Sequence, residues 1–382
     1  MEEYKWNLKE IRKRKRYVLE RFKNTNDIKE KEALSLTFMN YMNMLENSGT
    51  IRYTYFYNAI NILSHGKIVL KTNSKKIGVN ENSIFENKHL FSENYLVFLI
   101  NLSNIVSQGF KMEDVKNFET LKLGISNKDI IDISKSFYSK IGDKEIYEKA
   151  MKTLNDSSSI NFSQAYSKDY EDAGGIMFTD FIFDKAYITV KDSKDVFKAQ
   201  ALNHEVMHAV EFYTKKKLLS ENQFGFAEVP TYTIDYLFIN YLKEIGLEHE
   251  ANNLKVKKDY YLQFVATNTL LKLRALSISK NGLSSMQNSK YENYKKIVNF
   301  DILKSLLEVE SGIIAYGIYL EIESNKEKGL ETLKEFMKNN IPIDSKPDFS
   351  YLGFSDEYIL ELARNFSIKT KKTSDTCLKE KL

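Results

Sequence analysis

The chain has little of the residues that build cross-linked or loop-rich proteins. Its 382 residues include one cysteine, Cys377, three prolines and fifteen glycines. A single cysteine excludes a disulfide framework within the chain and fits a reducing compartment. So few prolines and glycines argue against long linkers and against an architecture of many short strands and turns. We therefore expect a mostly α fold, with 42% hydrophobic and 28% charged residues as in ordinary globular proteins.

Long apolar segments are also absent. The longest apolar run, residues 95–100, is far too short to cross a bilayer. Residues 1–5 are acidic and do not lead into the apolar core of a signal peptide. These features predict a cytoplasmic protein that has no membrane partner.

The chain carries no strong excess of charge of one sign. Its formal net charge is +4, and the densest basic cluster is residues 12–16. Such a cluster can bind phosphates, but this one continues into a helical pattern and no nucleic-acid recognition module accompanies it. We interpret it as a solvated helix face and expect no nucleic-acid partner.

Apolar residues recur at intervals of three and four over most of the chain, which predicts amphipathic helices. We expect an N-terminal helical region over residues 1–120, a second domain over 121–366 and a charged C-terminal tail over 367–382. The helices predicted by this pattern span residues 32–47, 53–64, 127–141, 144–155, 192–213, 225–245, 252–277, 297–324, 326–340 and 356–365.

One segment instead predicts a strand. Residues 185–190 are rich in β-branched side chains and alternate between two faces. Tyr187 and Thr189 point one way, and Ile188 points the other. The preceding Gly174 and Gly175 are either a plain turn or a loop that faces a ligand.

Two histidines at helical spacing carry the strongest chemical signal. His204 and His208 lie four residues apart, so on a helix both imidazoles point the same way and can bind one metal ion. Glu205 is offset around the helix, where it can reach a metal-bound water without displacing a ligand. The pattern predicts a catalytic zinc site with Glu205 as the base.

A third ligand is needed, because a catalytic zinc keeps three protein ligands and one open position. Glu228 follows His208 after 19 intervening residues, which is enough for the chain to turn and return along a second helix. Asp235 lies two turns further on, on the same face as Glu228. We predict that Asp235 hydrogen-bonds to a zinc ligand, or else is an ordinary surface acid.

These residues resemble the M3 family of zinc oligopeptidases, with a pattern like that of oligoendopeptidase F. The resemblance rests on Gly174-Gly175, on residues 186–190, on Asn203 to His208 and on Ala227-Glu228-Val229. It covers roughly residues 125–325 well and the first hundred weakly. The departures are that Thr231 replaces a serine, and that Asn299-Phe300 and Ser311-Gly312 stand where the family has a His-Phe-Tyr and a Thr-Gly pair with tyrosines before it.

The resemblance implies a helical zincin-type metallopeptidase with a small β-sheet beside the active site. It implies one Zn²⁺ per chain, held by His204, His208 and Glu228, and a helical N-terminal region that covers the cleft. The expected substrates are oligopeptides, which could add as a strand to the edge of the predicted strand over residues 185–190. Gly174, Gly175, Tyr187, Ile188 and Thr189 are then the substrate-binding candidates.

Two functions from different classes stay open. The first is a zinc-dependent metalloendopeptidase in which Glu205 activates a zinc-bound water. The alternative is a catalytically weak, zinc-containing protein that binds peptides or a partner. It is motivated by the missing oxyanion donors, since no tyrosine lies between Tyr294 and Tyr316 and no histidine follows His249. The oligomeric state is open in both cases.

Overall fold

A computed structural model describes most of the chain. The described residues are 5–47, 93–108, 110, 125–163, 174–191, 196–215, 226–281, 300–339 and 346–379. The predicted helix over 53–64 lies outside them. The chain divides into two compact units, the first formed by Met1–Val79 with Leu121–Leu218 and the second by Asn80–Thr120 with Leu219–Leu382.

The first unit packs helices on a small sheet. Its described elements are α1 (Leu8–Asn24), α2 (Ile28–Asn47), α4 (Asn127–Ile141), α5 (Lys144–Leu154), β1 (Ile160–Ser163), β2 (Gly175–Asp180), β3 (Lys185–Lys191) and α6 (Val196–Lys215). The helix α3 (Glu93–Val106) belongs to the second unit. A mostly helical fold with a small sheet is therefore confirmed.

Local signals explain why the helix α4 begins and ends where the sequence predicted. Ser126 caps its N-terminus and forms a reciprocal capping box with Asp129. Gly142 ends it in the left-handed conformation, at a φ of 82°. Asp143 then caps α5 by accepting a hydrogen bond from the Ile146 backbone N–H.

The three strands are ordered β1-β3-β2. β3 pairs in parallel with β1 and antiparallel with β2. The alternation predicted for β3 is confirmed, because its two faces serve two different cores. Tyr187 packs with residues of α1 and α2, whereas Ala186 packs with Ala209 and Phe212 of α6.

The central position of β3 corrects one expectation. The strand over residues 185–190 was predicted to offer an open sheet edge, but Ile188 and Thr189 are paired with β1 on one side and β2 on the other. A strand with both neighbours in place has no backbone groups left for a third. The error arose because β1 has only four residues and β2 begins at a glycine, so neither gave a strand pattern.

The second unit is helical in its described part. Besides α3 it contains α7 (Glu228–Glu244), α8 (Glu248–Asn281), α9 (Phe300–Ser324), α10 (Lys326–Lys338) and α11 (Asp356–Lys379). The helix α9 is central and packs against all five of the others. Its small residue Gly312 allows a close approach, because a Cβ there would lie 2.5 Å from Leu262 Cδ1 of α8.

The last helix differs from its prediction. It was expected to end at Asn365, but it continues to Lys379. No proline or glycine interrupts residues 366–379, and Phe366, Ser367 and Thr370 are buried. Packing of these side chains explains why a charged segment stays helical. No helix in the described part of the chain is both long and apolar enough to span a membrane.

Candidate metal centre

The helix α6 presents the two histidines as the spacing predicted. The rings of His204 and His208 lie 5.1 Å apart between centroids and stand at 82° to one another. Both side chains are half-buried, while most of their helix is buried. The helix is fixed by its neighbours, since the Asn203 backbone carbonyl accepts a 2.8 Å hydrogen bond from the Tyr138 hydroxyl of α4.

Glu228 completes a group that could hold a metal ion. One ligand atom each from His204, His208 and Glu228 lie within 4.8 Å of one another. Around a tetrahedral zinc, with bonds of about 2.1 Å, such atoms are roughly 3.4 Å apart. Two imidazoles and one carboxylate are a donor set that suits zinc and leaves the fourth position open. The residues therefore fit the ion that the sequence predicted.

The carboxylate of Glu228 is oriented by its own helix. Glu228 is the first residue of α7, and the Thr231 hydroxyl lies 3.0 Å from its carbonyl oxygen and 3.1 Å from Oε2. Thr231 is fully buried. Threonine at position 231, where the resemblance implied a serine, thus keeps a hydroxyl within hydrogen-bond reach of the Glu228 carboxylate.

Glu205 of α6 is buried against the start of β2. Its residue is 7% exposed. A Cβ built on Gly175 would lie 2.7 Å from Glu205 Cγ and 3.1 Å from Oε1, so the side chain rests against the first residue of β2. A buried carboxylate on the helix that carries His204 and His208 is suited to proton transfer.

Asp235 has an ionic partner that the sequence did not indicate. The Lys258 ammonium lies 2.8 Å from Asp235 Oδ2, and both side chains are less than 10% exposed. Lys258 also lies over the Tyr232 ring, 4.0 Å from its centroid. Asp235 is therefore not a surface acid. Its contact with a zinc ligand stays a prediction.

The other predicted site residues divide into two groups. Gly175 lies beside Glu205, and the neighbouring Gly174 faces Phe197 and Ala201 of α6. Tyr187 and Ile188 are buried, and Thr189 is half-buried within the paired strand. Since β3 is not an edge strand, it offers no open edge through which Tyr187, Ile188 and Thr189 could bind a peptide backbone.

Two tyrosines next to Glu228 were missed in the sequence. The hydroxyls of Tyr232 and Tyr261 donate to the same oxygen of Glu308, over 2.9 Å and 2.7 Å. Burial, with the charges of Glu308 and Glu228 nearby, raises the pKa of the Tyr232 hydroxyl well above 10. Burial and the charge of Glu308 also raise the pKa of the Tyr261 hydroxyl. Both hydroxyls therefore keep their protons at neutral pH and can donate hydrogen bonds. Only Tyr232 had a local signal, because it lies one helical turn after Glu228.

Comparisons with known proteins found similar chains only among solved structures. No family model and no curated protein matches the chain. Among solved structures, a protein assigned as oligoendopeptidase F from Bacillus anthracis is 13% identical over 95% of this chain and 68% of its own, with a TM-score of 0.42. A protein assigned as a peptidase from Chlamydophila abortus is 13% identical over 91% and 62%, with a TM-score of 0.48. PZ peptidase A with an inhibitor is 11% identical over 94% and 71%, with a TM-score of 0.44.

Proposed function

We propose that the chain is a zinc-dependent metalloendopeptidase that hydrolyses oligopeptides. The observation that carries the proposal is the convergence of His204, His208 and Glu228 ligand atoms, with Glu205 between the two histidines in sequence. When bound, zinc would polarise a peptide carbonyl and make water more acidic. Three protein ligands, none of them cysteine, are typical of a catalytic rather than a structural zinc.

Glu205 acts as the general base in this proposal. It takes a proton from the attacking water and returns it to the amine of the departing peptide. Its burial removes competing solvent, and its position one residue after His204 keeps the carboxylate near the ligands without making it one. Burial and nearby carboxylates, Glu228 among them, raise the pKa of the Tyr232 and Tyr261 hydroxyls. We propose these two hydroxyls as candidates to stabilise the oxyanion, a role in which each would turn its single proton from Glu308 to the substrate oxygen.

An extended peptide can pair with β2 rather than with β3. Within the described sheet, β2 has only β3 as a neighbour. Its far end is occupied, since the Asn40 side-chain amide donates to the Thr179 carbonyl over 2.8 Å. The near end at Gly175 adjoins Glu205. Strand addition there would bring a peptide backbone next to the base, with little selection for side chains.

The test is digestion of an unstructured peptide library by the full chain. We expect cleavage with one zinc per chain, loss of cleavage on removing zinc with a chelator, and recovery on adding zinc. A folded protein should resist cleavage that its unfolded form undergoes, because strand addition needs a free extended backbone. The competing function, a weakly catalytic peptide-binding protein, predicts stoichiometric peptide binding without cleavage.

A further inference from the structure

Gly175 leaves room for the Glu205 side chain. An ideal Cβ on Gly175 would lie 2.7 Å from Glu205 Cγ, 3.1 Å from Oε1 and 3.2 Å from the Thr189 carbonyl oxygen. Carbon atoms in good van der Waals contact are about 3.5–4.0 Å apart. Any larger side chain at Gly175 therefore requires Glu205 or the strand to move.

The need for glycine here is one of space. The glycines with positive φ in the described part of the chain are Gly142, Gly246 and Gly353. Gly175 lies in regular β-structure opposite Val190, a backbone conformation that any residue adopts. The neighbouring Gly174 is different, because a Cβ there would meet Phe197 at 3.1 Å and Ala201 at 3.4 Å, and not Glu205.

The helix and the strand that form this contact are both held in place. Glu205 belongs to the buried face of α6, so its backbone cannot retreat without moving Val206 and Met207, which are fully buried. β2 is held by its pairing with β3 over six residues. A clash at Gly175 would therefore be relieved by turning the Glu205 side chain to another rotamer, because that change moves the fewest packed atoms.

We propose that Gly175 is a positioning residue for the general base. By presenting only a hydrogen at the start of β2, it lets Glu205 lie against the strand with its carboxylate in one fixed conformation. The catalytic meaning of this contact rests on the function proposed above, whereas the contact itself does not. The proposal thus adds a strand residue to a site whose other members lie on helices.

The contact is tested by a double-mutant cycle in melting temperature, on the full chain with a chelator present. We expect Gly175→Ala to lower the melting temperature when residue 205 is Glu or the equally shaped Gln, by a few degrees. Glu205→Ala lacks Cγ and the carboxylate. In that background, Gly175→Ala should lower the melting temperature by less than half as much. Any gain from reduced freedom of the unfolded chain cancels, because it is equal in all backgrounds.

Gly174→Ala is the matched control. Its shift in melting temperature should be the same whether residue 205 is Glu or Ala. Equal losses for Gly175→Ala in all three backgrounds would overturn the contact. If Gly175→Ala alone fails to fold, the double variant with Glu205→Ala must restore folding, and absence of that rescue would also overturn it.

The positioning role is tested by kinetics. In Gly175→Ala we expect kcat to fall about tenfold to a hundredfold while KM and zinc content stay at wild-type values, since a base displaced by about 1 Å fails only in the chemical step. An unchanged kcat would overturn the positioning role. If the wild-type chain cleaves no peptide, the proposed function fails, while the melting cycle still decides whether the contact exists.

Discussion

At the scale of single residues, the candidate site combines local and distant contributions. The His204–Glu205–His208 spacing is local, so the sequence alone predicted which side chains share a helix face. The Lys258 partner of Asp235 and the Gly175 contact with Glu205 join residues 23 and 30 positions apart. No periodicity of the sequence encodes such pairs, because they depend on how elements pack.

Asp235 offers a residue-scale prediction with a matched pair of variants. Asp235→Asn and Lys258→Met each break the buried ion pair and leave its partner uncompensated, so each should destabilise the fold by about 3–5 kcal/mol. Only Asp235→Asn removes a carboxylate that can orient a zinc ligand. We expect it to weaken zinc affinity by roughly ten- to a hundredfold.

Zinc titration, together with denaturant unfolding, measures both effects. If the two variants lose zinc affinity equally, the loss follows from the broken ion pair, and Asp235 has no separate role towards the metal.

At the scale of elements, helices were predicted better than strands. Caps such as the Ser126–Asp129 box and Gly142 are local signals, so the bounds of α4 agree with the sequence. β1 pairs in parallel with β3 across 28 positions of the chain, and a four-residue strand carries too little pattern to reveal this. That missing pairing is why β3 was expected at the edge.

The α9 helix carries a buried acid that should make stability depend on pH. Burial raises the pKa of Glu310 to about 8, although the Tyr95 hydroxyl that donates to its carboxylate opposes the shift. The folded state therefore keeps a proton that the unfolded chain releases above about pH 4.5. Stability should be greatest below that pH and fall as the pH rises towards 8, by up to roughly 5 kcal/mol.

Glu310→Gln should remove this dependence, because glutamine has no such proton. The measurement is the melting temperature at intervals from pH 5 to 8.5, with Glu323→Gln, an exposed acid of the same helix, as the control. Curves for wild type and Glu310→Gln that run parallel would contradict the assignment.

Two glycines at helix contacts give a second prediction at this scale. A Cβ at Gly329 of α10 would lie 2.4 Å from the Ile322 backbone nitrogen, whereas the atoms nearest to a Cβ at Gly312 belong to the Leu262 side chain. A side-chain end can turn away, but backbone cannot. Both substitutions to alanine gain about 1 kcal/mol of helix propensity, and Gly329→Ala should still be the more destabilising by about 1 kcal/mol or more.

Denaturant midpoints of the two variants provide the comparison. A larger loss in Gly312→Ala than in Gly329→Ala would show that the contact between α8 and α9 is the tighter of the two.

At the scale of the whole molecule, the mostly helical class followed from composition, because the chain has few prolines and glycines and long helical periodicities. The candidate metal centre did not follow from composition at all. It depends on a histidine pair and on a glutamate 20 positions after the second histidine, whose ligand atoms converge only in the folded chain. The division of the sequence into a covering region and a catalytic domain at about residue 120 stays a prediction.

The central claim is that this molecule couples a metal site to a general base, and turnover of the Glu205→Gln variant tests it most directly. Glutamine matches glutamate in shape but cannot take a proton from water. We expect the variant to hold one zinc per chain and to cleave unstructured peptides at least about a hundredfold more slowly than wild type. A zinc-loaded variant that kept most of the wild-type rate would contradict the account.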